Sequence, residues 1–207
     1  MSWTVVIPVK GVPAAKSRLS PAIPDDARSV LARAFALDTI AAALGARSVS
    51  RVIVVGSDAS LAGEAEFLSD PQGEPGLLPA IRHGIAHAGK RVAIAVLLGD
   101  LPALRPEELD AMLDAAARHP LAFVRDADGT GTTLATAGVG VPFEPKFGPD
   151  SAALHAAAGF VELEASVAPG LTRDVDTVGG LEVVLHHGVG DHTAEAVARL
   201  ADRKDPL

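Results

Sequence analysis

The 207-residue chain contains no cysteine. That excludes disulfide scaffolds, thiolate zinc sites and cysteine nucleophiles, and it agrees with a reducing compartment. Aromatic residues are also scarce: six Phe, one Trp and no Tyr, too few for the stacking platforms that grip single-stranded nucleic acid. No apolar run reaches the roughly 18 residues of a membrane-spanning helix. Nor does the N-terminus show the basic segment, apolar stretch and cleavage site of a secretory leader. The chain therefore reads as cytoplasmic, with no membrane partner. Positive charge is in deficit, with 18 Lys and Arg against 26 Asp and Glu and a formal net charge of −8. A pI near 5.3 leaves no general basic face for a nucleic-acid backbone. Any anionic ligand must be met by a local cluster of cations or by a metal ion. HExxH, GxSxG and a complete Walker A sequence are all missing, which removes zincin, acyl-transfer and P-loop chemistry. The seven histidines form no ligand pattern, and they are expected to be surface or packing residues.

What is present is a regular alternation. Apolar β-branched runs exchange with helical patterns, the signature of βαβ units around a mainly parallel sheet covered on both faces. "WTVVIPV" reads as the first strand. Pro24, Asp25 and Asp26 open a helix whose apolar stripe is expected at Val30, Ala34, Leu37, Ala41 and Leu44, stopping at Gly45. "RVIVVGSD" and "AEFLSD" read as strands, the segment 76–89 as a helix, and "RVAIAVLLGD" as a central strand. Pro106, Glu107 and Glu108 then begin a helix, since proline and acids suit a first turn. The second half is less regular: two short strands around the turn in "LAFVRDADGTGTTLATAG", a helix from "PDSAALHAAAG", a strand in "GFVELE", and a loop "TRDVDT" leading into "VGGLEVVLHH". No repeat, low-complexity tract or linker divides the chain, so residues 1–207 read as one α/β domain, which at this length buries roughly 70% of its unfolded surface.

Four stretches supply candidate chemistry. In "VVIPVKGVPAAKSRLSP", residues 5–21, a buried strand runs into a loop that gathers Lys10, Lys16 and Arg18 among small residues. Three cations at a strand's carboxyl end, in an otherwise acidic protein, suit a polyphosphate, although a solvated loop would also explain them. "LLGDLPAL", residues 97–104, ends the central strand at Gly99 and sets Asp100 at its carboxyl end, either facing a ligand or satisfying the turn's own backbone. "RDVDT" supplies Asp174 and Asp176. The expectation is that an extended path turns these two to opposite sides, leaving at most one to meet the same ion directly. A hard cation held by one or two carboxylates and substrate phosphates fits this supply, and helix capping by Asp176 or Thr177 is the competing explanation. "DGTGTT" and "FGPDSAA" combine flexible backbone with hydroxyls, and Ser151 either contacts an anion or caps the helix it precedes.

Taken in order, "IPVKGVPAAKSRL", "GEPGLLPAIRHG", "LLGDLPAL", "DGTGTT", "FGPDSAALH" and "RDVDT" closely resemble the phosphoenolpyruvate and 2-phospho-L-lactate guanylyltransferases of coenzyme F-420 biosynthesis, over residues 5 to about 181. The resemblance implies a nucleotide-diphospho-sugar transferase type of fold, Rossmann-like, with helices on both faces of the sheet. It implies that Lys16 and Arg18, with Lys10 as a helper, bind the triphosphate. Gly76 would belong to the nucleotide site, Asp100 would be the principal metal ligand, and Asp174 or Asp176 its later partner. Thr133, Gly148 and Ser151 match positions that hold the small phosphorylated acid. Related sequences commonly read Gly-Leu-Asn where this one has Gly76, Leu77 and Leu78, so guanine selectivity rests on the likeness and not on a visible amide.

The implied reaction joins GTP to a phosphorylated three-carbon acid with magnesium (Mg2+) as cofactor and releases pyrophosphate. The product then passes to a downstream transferase, and no nucleic acid takes part. Phosphoenolpyruvate is the preferred acceptor, because the alanine-rich, lysine-poor composition suggests a GC-rich bacterial source and bacterial members of the family it resembles are more often the phosphoenolpyruvate users. Lys16, Arg18 and Asp100 would carry the catalysis, Asp100 by positioning metal rather than by taking a proton. A molybdenum-cofactor guanylyltransferase, a sugar-phosphate nucleotidyltransferase and a nucleotide sensor without catalysis are the rival functions. The glycine-rich first loop of the first two is poorly matched by the single Gly11 in "VKGVPAAK".

Overall fold

The computed structural model describes residues 1–9 and 23–202. Its strands are β1 (Trp3–Val9), β2 (Val49–Gly56), β3 (Glu66–Ser69), β4 (Ala93–Leu97), β5 (Leu121–Arg125), β6 (Thr132–Ala137) and β7 (Val161–Glu162). The helices are α1 (Asp25–Gly45), α2 (Leu77–Ala88), α3 (Pro106–Ala116), α4 (Ser151–Ala157), α5 (Pro169–Thr172), α6 (Val178–His187) and α7 (Asp191–Asp202). All seven strands join one sheet in the order β3-β2-β1-β4-β6-β5-β7. Only β6 runs against the rest, antiparallel to both β4 and β5. The α/β architecture with a mainly parallel sheet is as the sequence predicts.

Strand periodicity builds the two faces. Trp3, Val5 and Ile7 of β1 pack with Val54, Ala95 and Leu97 beneath α1 and α3. Val6 points the other way, packing with Ile53, Val55, Ile94 and Val96 against Ala80 and Ile81 of α2 and Ala152 of α4. Because both faces are covered, β1 and β4 are apolar at nearly every position. Gly84 lets α2 lie close to the sheet: a Cβ there would sit 2.4 Å from Val6 Cγ1.

The α1 stripe differs from expectation. Its buried residues include Ala27, Leu31, Ala34, Phe35, Asp38, Thr39 and Ala42, whereas Val30 and Leu44 are each 39% exposed. Of the expected stripe only Ala34 is buried. The reason is a second layer. Leu31, Ala34 and Phe35 pack against Leu181 and Val184 of α6 and Ala196 of α7, so α1 is covered on two sides and buries a wide arc. Helix α7, whose sequence is mostly polar, is not among the elements the sequence predicts. Its start is fixed by Asp38, whose carboxylate accepts from His192 N at 3.0 Å and Thr193 N at 2.8 Å. No helix among the described residues is long and apolar enough to cross a membrane.

Candidate active site

Parallel strands place their carboxyl ends on one rim, and the turns after them form a cleft there. Asp100 stands just past β4 on this rim. Gly99 passes close to β1, where a Cβ would meet the Pro8 carbonyl at 3.2 Å. The next residue is anchored from α1: Leu101 N donates to Thr39 Oγ1 at 3.0 Å, while that hydroxyl donates to Phe35 O at 2.8 Å. Val175 N donates to Asp100 O at 3.2 Å. The Asp100 turn is thus tied to the helix below it and to the late loop beside it.

That late loop corrects one expectation. Asp174 and Asp176 do not diverge: together with Asp100 each offers a carboxylate oxygen, and the three atoms lie within 4.8 Å of one another. Residues i and i+2 of an extended segment share a face, and the residue between them points away. Val175, fully buried with Leu31, Phe35 and Leu181, takes the opposite side and aims both neighbours into the cleft. Capping of α6 falls to Thr177, whose Oγ1 accepts from Gly180 N at 3.0 Å. Three hard oxygen donors at this spacing could hold a divalent cation.

The reversed strand β6 decides the opposite wall. Since it runs against its neighbours, its beginning and not its end lies at the rim. Thr132 pairs with Arg125 at the end of β5, and Leu98 N donates to Thr133 O at 2.9 Å. Thr133 is buried, and its hydroxyl makes no hydrogen bond among the described residues. The preceding turn is shaped by Asp126, which accepts from Thr130 N at 2.9 Å and Gly131 N at 2.7 Å; the sequence reading passed over this residue, although an aspartate ahead of "GTG" signals such a turn. Gly148 takes φ +130 and Asp150 takes φ +55, an uncommon conformation for a non-glycine residue. Ser151 is buried as the first residue of α4 with Asp150 as its N-cap, so Ser151 is not the cap.

Asp100, Asp174, Asp176, Thr133, Gly148 and Ser151 all line one cavity of about 560 Å³. A second cavity of about 590 Å³ adjoins it, sharing Pro8, Val9 and Leu77 and extending to Ser57, Asp70 and Gly76. Gly76, at φ +134, precedes α2. Leu78, at the position where related sequences carry an amide, packs against the apolar core under α2. Lys10, Lys16 and Arg18 lie outside the described residues. They follow Val9, which lines both cavities. Behind the wall formed by Thr132, Thr133 and Ser151 lies His155, fully buried, whose pKa is pushed down from 6.5 to about 4 by burial. The sequence reading had set it aside with the other histidines, though its position four residues after Ser151 puts both on one helix face.

Over residues 29–169 the chain matches the family described as MobA-like NTP transferase domain. A protein of Streptomyces scabiei (strain 87.22) named phosphoenolpyruvate guanylyltransferase is 47% identical over 211 residues, covering 97% of this chain and 98% of that protein. One of the same name from Geodermatophilus obscurus is 49% identical over 203 residues, covering 93% of each. Among solved structures, one described as a nucleotide-diphospho-sugar transferase, from Desulfovibrio desulfuricans G20, matches with a TM-score of 0.65 at 19% identity over 89% of this chain and 87% of that one. This last likeness is one of fold.

Proposed function

Because the chain belongs to the phosphoenolpyruvate guanylyltransferase family, with a MobA-like NTP transferase domain, we propose that it transfers the guanylyl group of GTP to phosphoenolpyruvate. The products are pyrophosphate and enolpyruvoyl-2-diphospho-5'-guanosine, which a downstream transferase of coenzyme F-420 biosynthesis consumes in the cytoplasm. The observation that supports this reading best is the shared cavity, with three carboxylates converging on one wall and Thr133, Gly148 and Ser151 on the other.

Asp100, Asp174 and Asp176 would hold a divalent cation, since all three donors are hard oxygens, and magnesium is the proposed ion because it is commonly bound by carboxylates together with substrate phosphates. When bound, that ion supplies charge stabilisation to the triphosphate and the leaving pyrophosphate. Thr133, Gly148 and Ser151 seat the phosphorylated acid so that one of its phosphate oxygens faces the α-phosphorus of GTP in line with the leaving group. A bond forms between that oxygen and the α-phosphorus. The bond from the α-phosphorus to the oxygen bridging to the β-phosphorus breaks, and pyrophosphate departs. A phosphate monoester has a second pKa near 6, so its oxygen is already ionised at neutral pH and no general base is needed. Lys16 and Arg18, with Lys10, would meet the triphosphate from the residues that follow Val9 in the chain, and the second cavity beside Gly76 takes the nucleoside.

Product analysis by mass spectrometry after incubation with GTP, Mg2+ and a mixture of phosphoenolpyruvate, 2-phospho-L-lactate and phosphoglycerate tests the proposal. Formation of the phosphoenolpyruvate adduct in preference to the others, with stoichiometric pyrophosphate, is the expected result. GTP bound without turnover, or guanylyl transfer only to a pterin cofactor, would overturn it.

A further inference from the structure

His155 is a packing residue by location, yet both of its ring nitrogens are engaged. Lys146 N–H donates to Nε2 at 3.2 Å. That bond uses the Nε2 lone pair, so the neutral ring carries its proton on Nδ1. Nδ1–H then donates to the Ser151 carbonyl at 2.9 Å and to the Thr132 hydroxyl oxygen at 3.0 Å. Phe123 stacks on the ring with centroids 5.7 Å apart, while Phe147 and Phe160 meet it edge-on at 5.2 and 4.8 Å. These contacts leave the ring one plane, and the hydrogen bonds leave it one tautomer.

The groups it joins belong to separate segments of one wall. Lys146 leads into Phe147 and Gly148, Ser151 begins α4, and Thr132 adjoins Thr133 on β6. Phe147, Gly148, Ser151, Thr132 and Thr133 all line the cavity. Ala152 N donates to Thr130 O at 3.1 Å, the other strap between α4 and the turn before β6. Among the described residues, the hydrogen bonds of His155 and the Ala152 N–H are what join the segment 146–152, which holds two residues of positive φ, to β6 and the turn before it, beside the apolar packing of Phe147.

We infer that His155 is a positioning residue for the acceptor: its Nδ1–H form ties the 146–151 segment to β6 and so sets the spacing between Gly148, Ser151 and Thr133 that a phosphorylated three-carbon acid requires. The inference rests on the acceptor site proposed above. It assigns His155 no contact with substrate and no proton transfer.

The test is steady-state kinetics of the full chain and of H155F and H155N, varying GTP and phosphoenolpyruvate in turn. H155F retains a ring and deletes all three hydrogen bonds. Its KM for phosphoenolpyruvate is expected to rise about tenfold or more, while the KM for GTP stays within about twofold, as two or three lost neutral hydrogen bonds allow. H155N puts an amide N–H near the place of Nδ1, and its KM for phosphoenolpyruvate is expected to fall between parent and H155F. Long-range proton–nitrogen NMR of the parent protein is expected to show His155 protonated at Nδ1. Should H155F not fold, H155N and the NMR tautomer carry the test. A parent protein active on phosphoenolpyruvate, with an H155F variant whose two KM values are unchanged or rise together, overturns the role of His155 alone, as does an Nε2–H tautomer. A parent protein inert towards phosphoenolpyruvate overturns the acceptor site and this inference with it.

Discussion

A buried hydroxyl without a partner costs about 1–3 kcal/mol, and Thr133, in the cavity wall, carries one that finds none among the described residues. The variant Thr133→Val keeps the shape and removes the hydroxyl. Its melting temperature is expected to equal or exceed the parent's, while its KM for phosphoenolpyruvate rises about fivefold, the loss of one hydrogen bond of about 1 kcal/mol. A variant that melts lower with an unchanged KM would count against the contact. Asp100 makes the opposite prediction. Replacing it by Asn keeps the size and removes a charge from the three-carboxylate cluster, and kcat is expected to fall about 100-fold or more. Pyrophosphate release measured up to saturating Mg2+ checks this, and near-parent turnover there would contradict the assignment.

The elements explain how these residues meet. The "GTT" of "DGTGTT" reaches the rim only because β6 runs backwards between β4 and β5; a parallel strand would have carried it to the far end of the sheet. The late aspartates reach it because Val175 is drawn into the layer formed by α1, α6 and α7. That layer depends on one buried carboxylate, Asp38, which receives two backbone N–H groups at the start of α7. Asp38→Ala strands those donors and is expected to cost roughly 3 kcal/mol. Urea unfolding checks the cost, and a loss below about 1 kcal/mol would mean that α7 docks by apolar contact alone. On the other face, Gly84→Ala presses a methyl into Val6 and Val55 and is expected to cost about 1–3 kcal/mol by overpacking.

For the whole molecule, pH dependence follows from groups far apart. The folded pKa of His155 is depressed from 6.5 to about 4 by burial. The unfolded chain therefore binds a proton at a higher pH than the folded one. Its contribution is complete above about 6.5 and is lost as pH falls to about 4, a change of roughly 3 kcal/mol. Asp110 acts lower down. Burial opposes its ionisation, yet the backbone N–H groups of Ser48 and Arg47, donating at 2.7 and 3.1 Å, outweigh that and hold the carboxyl below its ordinary 3.8. Its share is present above 3.8 and disappears as pH falls through the depressed value. Denaturant unfolding between pH 7.5 and 4 is expected to show the first decline in the parent protein and a flatter profile in H155F. An equal slope in the two would remove His155 as its source.

Short continuous apolar runs such as "WTVVIPV" and "RVAIAVLLGD", set between helical patterns, determined an α/β sheet by themselves, since run length and apolar content are local properties. Asp100, Asp174, Asp176 and Ser151 stood out in short turns whose residues announce them, whereas Thr133 and Gly148 were named through the family resemblance; all six line the cavity. Other features were not local. Which side of α1 is buried depended on α7, a mostly polar helix with no apolar run to betray it. The convergence of Asp174 and Asp176 depended on where Val175 found its core, and the ligation of His155 on three segments arriving around one ring. Local pattern names the residues that face a cleft, whereas their spacing is set by packing between segments distant in the chain, and only the tertiary structure contains those distances.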